Sequence, residues 1–186
     1  MHSRINAPCR RYYLALLTML AILVLIVPSH GLSKRTAGNN EGWIGTWATA
    51  AQAQIPGRVQ TFHNQTLRLI VHTSAGGTKA RIRISNTFGD EPLVIGAGHL
   101  ARRATGADLV PGSDRTVTFS GHKSTTVPAR SMLISDPVKL DVPALSDLAI
   151  SIFLPQSTHA TTVHLRAFQT NYVSPETGDL SAEIKF

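Results

Sequence analysis

Past residue 42 the chain is a series of short runs in which apolar and polar residues alternate, set apart by Gly, Pro, Asn and Asp. Leu67 to Thr73 reads as a strand that ends at the turn signal Gly76-Gly77. Lys79 to Asn86 alternates, with Ala80, Ile82 and Ile84 on one face and Arg81, Arg83 and Ser85 on the other. Successive side chains of a strand point to opposite faces, so this segment predicts one dry face and one wet face. Further strands are predicted at Leu93–Ala101, Arg115–Ser120, Ser131–Ser135, Asp147–Leu154 and Thr161–Thr170. Phe88 to Pro92, Val110 to Asp114 and Ser135-Asp136-Pro137 place turn formers between them. No sustained helical period follows the N-terminal segment, and Ala144-Leu145-Ser146 gives one short turn. Many short strands with one-face alternation predict an all-β fold, a β-sandwich or jelly roll of antiparallel strands. A closed barrel fits the same pattern.

The first 31 residues are of another kind. Arg4, Arg10 and Arg11 precede an apolar run from Leu14 to Val27, and Pro28 breaks it before Ser29-His30-Gly31. A basic start, an apolar stretch of about 7–15 residues and a small-x-small exit predict a signal peptide over residues 1–31. The product is then secreted or periplasmic. An uncleaved membrane anchor is the alternative, because Tyr12 and Tyr13 extend the run, and it is the one route to a membrane that this reading offers. Cys9, the sole cysteine, lies before the apolar run, which is not where an acylated cysteine sits. Removing 31 of 186 residues leaves 155 without cysteine, so packing alone must hold the domain in an oxidising compartment. Residues 32–42 read as a flexible polar lead-in.

Composition narrows the partners. The chain is 42% hydrophobic and 16% charged, which excludes intrinsic disorder. Taking Arg4, Arg10 and Arg11 from 18 basic residues leaves 15 against 11 acidic, and these are dispersed. Nucleic-acid binding calls for a clustered basic stripe and is not expected. The search for chemistry returns little. Gly-x-Ser-x-Gly is absent, and Ser113-Asp114, Ser135-Asp136 and Ser146-Asp147 fall in predicted turns, where Ser and Asp bond the local backbone. The histidines have no ligand spacing, so neither metal nor cofactor is expected. Gly96-Ala97-Gly98 has the glycine spacing of a dinucleotide loop, but no helix pattern follows to hold a pyrophosphate, and a bulge or close backbone approach is the better reading. Trp43 and Trp47 are four apart, which on a strand puts both rings on one face, as core or as a sugar-stacking platform.

The segment Trp43-Ile44-Gly45-Thr46-Trp47-Ala48-Thr49-Ala50 resembles the front of secreted bacterial SGNH hydrolases, the GDSL-type lipases and esterases. The likeness continues through Phe62 to Arg68, Arg81 to Gly89, Val110 to Arg115, Leu140 to Leu148 and Gln169 to Pro175. It implies an N-terminal β-sandwich accessory domain over residues 43–178 that precedes an α/β catalytic domain, with residues 179–186 as a divergent tail. Trp43, Trp47, Asn86, Phe88, Gln169 and Asn171 are the candidates for contact with a ligand or a neighbouring domain. The family's Gly-Asp-Ser block, its Gly and Asn oxyanion donors and its Asp-x-x-His pair are all missing here; Gly89-Asp90 is followed by Glu91. No catalytic residue is therefore expected in this chain. The implied partner is a catalytic SGNH domain, lost by truncation or encoded downstream. A free-standing module that binds polysaccharide through an exposed aromatic row is the alternative.

Overall fold

The longest alternating runs become the longest strands. The computed structural model describes residues 42–186; the predicted signal peptide and all but the last residue of the lead-in lie outside the described residues. In chain order the strands are β1 (Gln52–Ala53), β2 (Thr61–Thr73), β3 (Gly77–Ala80), β4 (Arg83–Ser85) and β5 (Leu93–Ile95). There follow β6 (Ala97–Arg102), β7 (Arg115–Thr116), β8 (Thr125–Val127) and β9 (Met132–Ile134). Then come β10 (Val138–Val142), β11 (Ser146–His159), β12 (Thr162–Val163) and β13 (Tyr172–Val173). No helix occurs among the described residues, so none there is long and apolar enough to cross a membrane. The described chain is all-β.

A five-stranded sheet in the order β13-β2-β11-β6-β7 is the frame. Its spine is the β2–β11 pair, antiparallel from Ser146↔Thr73 to His159↔Thr61, with one irregularity between Leu154 and Ser157. Pro155 lies in that interval; it has no N–H to give the ladder, so a bulge there lets the strand continue. Four two-stranded ribbons complete the fold: β1–β12, β3–β10, β4–β9 and β5–β8.

One face of the sheet supplies Val71, Leu100 and Leu148 to a core shared with Ile82, Val117, Phe119 and the inward residues of β10, Val138, Leu140 and Val142. A second cluster joins Phe62, Ile152 and Leu154 to Ile95 and Val127. The opposite face is covered too: Ile70, Ala101 and Ala149 pack with Leu109 and Tyr172. The sheet is thus buried on both faces, which gives a sandwich-like arrangement without a disulfide.

The predicted strands survive with altered limits. Lys79–Asn86 keeps its alternation, Ile82 being buried and Arg81 and Arg83 exposed, but it divides into β3 and β4 because its halves pair with different strands. Leu93–Ala101 divides at Gly96, where a Cβ would lie 2.6 Å from the Phe153 ring. That is the close approach expected there, and no phosphate loop. Thr161–Thr170 contracts to β12, whose sole partner, β1, is two residues long. Strand β10 was not foreseen, since Pro137 and Pro143 flank it and mask the alternation of Val138, Leu140 and Val142.

Candidate functional site

Strand register sets three polar side chains in a row on the second face of the sheet. Ser151 is opposite Arg68 on β2 and opposite His99 on β6. Arg68 is 0% exposed, yet no carboxylate touches it among the described residues. Its Nε donates to Ser151 Oγ at 2.9 Å, Nη1 to the Ala107 carbonyl at 2.8 Å and Nη2 to the Glu183 carbonyl at 2.7 Å. Nη2 also lies 3.5 Å from the Ser181 carbonyl, and the Phe186 ring stacks on the guanidinium with its centroid 4.2 Å away. Burial lowers the Arg68 pKa from its usual value, against the opposing fields of Asp114, Asp108 and Glu183. The guanidinium stays charged. Residues 180–186 therefore form a strap across the sheet, pinned also by Leu109 N donating to the Ile184 carbonyl at 2.9 Å and by a Lys185–Asp108 ion pair.

The row ends at His99, whose Nδ1 lies 2.8 and 3.0 Å from the two carboxylate oxygens of Asp114. Two rungs along the same face, His72 is opposite Asp147. His72 Nδ1 and Arg103 Nη1 each lie 2.7 Å from an Asp147 oxygen. The His72 hydrogen bond, then Arg103, hold the Asp147 carboxyl below the ordinary carboxylate range. A carboxyl with a depressed folded pKa adds stability that is present above its unfolded value of about 3.9 and is lost as pH falls through the folded value. Asp147→Asn should thus lower urea stability at pH 7, by about 1 kcal/mol or less because the partners reach solvent. The gap to the parent should close below about pH 4. A gap that persists at pH 3 would assign the loss to shape and not to charge.

Ser151, His99 and Asp114 are the residue types of a hydrolytic triad, but their arrangement is a different one. Nucleophilic serine needs its base within hydrogen-bond reach and an approach for substrate. Here Ser151 Oγ is held by Arg68 and is buried beneath the strap. The row is a polar fastening for residues 180–186.

The six candidates singled out in the sequence are not brought together. Residues 43–50 form no strand, so the even spacing of Trp43 and Trp47 puts no two rings on one sheet face. Thr46, next to Trp47, bonds Ser74 and Ala75 beyond the Thr73 end of β2. Phe88 N bonds Thr162 Oγ1 near the other end of β2, roughly 40 Å away at about 3.3 Å per residue. Asn86 is buried: its Nδ2 donates to the carbonyls of Glu91, Val127 and Pro128 at 2.8, 3.2 and 3.1 Å. A Cβ at Gly89 would strike its Oδ1 at 1.9 Å, so the glycine is there for Asn86 and not for a nucleophile block. Asn171 Oδ1 accepts from Ile70 N at 2.9 Å and extends the β13–β2 ladder by a rung. Gln169 is half-buried in the loop before it.

No protein-family model matches this chain, and no curated protein matches it either.

Sequence reasoning passed over Arg68, His72, His99, Asp114, Asp147 and Ser151. Part of the signal was present, since alternation in the predicted strands sets Arg68 with His72 and Asp147 with Ser151 on single faces. The register that unites the strands is a tertiary fact; His72 and Asp147 are 75 residues apart.

Proposed function

We propose that residues 43–178 are the non-catalytic N-terminal accessory domain of a secreted SGNH/GDSL-type ester hydrolase, a β-sandwich of jelly-roll type. One observation supports this reading above others: polar residues of the resembling segments turn inward and hold the fold. Asn86 ties its turn to the β8–β9 connection, Asn171 caps β2, and Arg68 fastens the strap. Ser113 Oγ accepts from Arg102 N at 3.1 Å and donates to the Val110 carbonyl at 2.7 Å. Side chains spent in this way make a scaffold, not a reaction centre. The polysaccharide reading asked for an aromatic row on a sheet face. The exposed aromatic rings among the described residues, Trp43, Trp47, Phe88 and Phe168, lie outside the strands.

The purified chain should hydrolyse p-nitrophenyl acetate no faster than buffer. An SGNH catalytic domain fused after Phe186 should gain soluble yield and thermal half-life over the same domain alone. Turnover by this chain, abolished by Ser151→Ala with melting unchanged, would overturn the accessory role. A catalytic domain indifferent to the fusion would count equally against it.

A further inference from the structure

Between Glu41 and Asp90, and again between Asp147 and Glu176, the chain has no acidic residue. Strand pairing joins these two stretches at one end of the fold. Gln52 pairs with Val163 and Ala53 with Thr162, Ala160 N donates to the Gln60 carbonyl at 2.9 Å, and Thr61 pairs with His159. The turn closed by Arg58 N and the Ile55 carbonyl at 3.0 Å projects from this junction. Ile55, Val59, Leu165 and Phe168 are exposed in these segments. Arg58 and Arg166 are exposed among them and form no ion pair with any described residue. Asp90 and Glu91 follow Phe88, whose backbone touches this end at Thr162; they are the acids nearest to it along the chain.

Phe168 is the decisive residue. It holds φ at 52°, the left-handed region that bulky side chains avoid, and its side chain is left 94% exposed. Either feature is unfavourable in water, and strain kept with an apolar ring held out points to a partner off the molecule. Apolar tips with unpaired arginines and no interspersed carboxylate complement a surface that is apolar inside and negative at its rim. A soluble anionic polymer would engage the arginines and leave Phe168 and Leu165 in water.

We propose that this end is a docking surface for an anionic lipid bilayer. Phe168 and Leu165 enter the headgroup–acyl boundary, and Arg58 and Arg166 meet lipid phosphates. This route to a membrane is separate from the N-terminal apolar run and does not rest on the ester-hydrolase reading.

The test uses the full chain carrying Cys9→Ser and Phe168→Cys, with a nitroxide on the new thiol. Vesicles are phosphatidylcholine alone or mixed with phosphatidylglycerol, and the readout is label access to oxygen against a nickel chelate. Because the label reports its own position, N-terminal insertion cannot imitate the result. Expected is burial of the label on anionic vesicles only, with a Thr78→Cys label beyond the Thr73 end of β2 remaining in water. Arg58→Glu with Arg166→Glu should weaken label burial by about tenfold or more, at roughly fivefold per cation, and added salt should act in the same direction. A label that stays aqueous on anionic vesicles overturns the proposal. So does retention by dextran sulfate with the label still aqueous, which would make the surface one for an anionic polysaccharide.

Discussion

Ile82→Asp should leave the chain unfolded, whereas Arg83→Asp should melt close to the parent. Ile82 is 7% exposed and packs in the core that holds Val71, Leu100, Val117 and Phe119. Its backbone is locked in the gap between β3 and β4, where Ile82 N donates to Ser135 Oγ at 3.0 Å and Ser135 N to the Ile82 carbonyl at 2.9 Å. A carboxylate at this site removes apolar packing worth about 2–5 kcal/mol. It also buries a charge with no cation inside the cluster, at a cost of several kcal/mol more. Native domains hold only about 5–15 kcal/mol in all. Arg83 is the next residue, is exposed, and faces away from that core, so its replacement should cost about 0.5 kcal/mol. Far-UV circular dichroism and urea titration of the two variants distinguish the outcomes. Equal damage would mean that the strand does not present alternate residues to opposite faces.

That contrast was readable in the sequence because it is local. A strand's period of two assigns Ile82 and Arg83 to opposite faces whatever the strand pairs with, and Gly76-Gly77 marks the turn whatever the fold. The same logic gave the all-β class. It failed where a local pattern was asked for a tertiary fact. Trp43 and Trp47 share a face only if their segment is a strand, and residues 43–50 have no partner strand to make it one. Thr161–Thr170 has strand-like composition, but pairing stops with the two residues of β1. The candidates Asn86 and Asn171 were chosen as polar residues in matched segments, and polarity does not tell a loop clamp from a contact surface. The row of Arg68, Ser151 and His99 was out of reach for a stronger reason: it exists only after three strands distant in sequence have taken their register.

Arg68 carries the other large effect. Within Leu67-Arg68-Leu69-Ile70 a charged residue reads as the wet position of a half-buried strand, but the strap covers it. Arg68→Ala should cost about 3–5 kcal/mol, since it strands the Ala107 and Glu183 carbonyls and opens a space beside Ser151. At about 2–4 °C per kcal/mol for a domain of this size, the melting temperature should fall by roughly 10 °C. Arg68→Lys keeps the charge but not the planar fork that bonds three separated acceptors, so it should recover only part of the loss. The location of the damage is the sharper readout. Amides of residues 180–186 should exchange hydrogen far faster in Arg68→Ala than in the parent, while those of β11 opposite Leu67 to Val71 should follow only the global loss. A strap that stays protected without the guanidinium, or a variant within about 1 kcal/mol of the parent, would show that Leu109 and the Lys185–Asp108 pair hold residues 180–186 and that Arg68 is a passive tenant of the sheet.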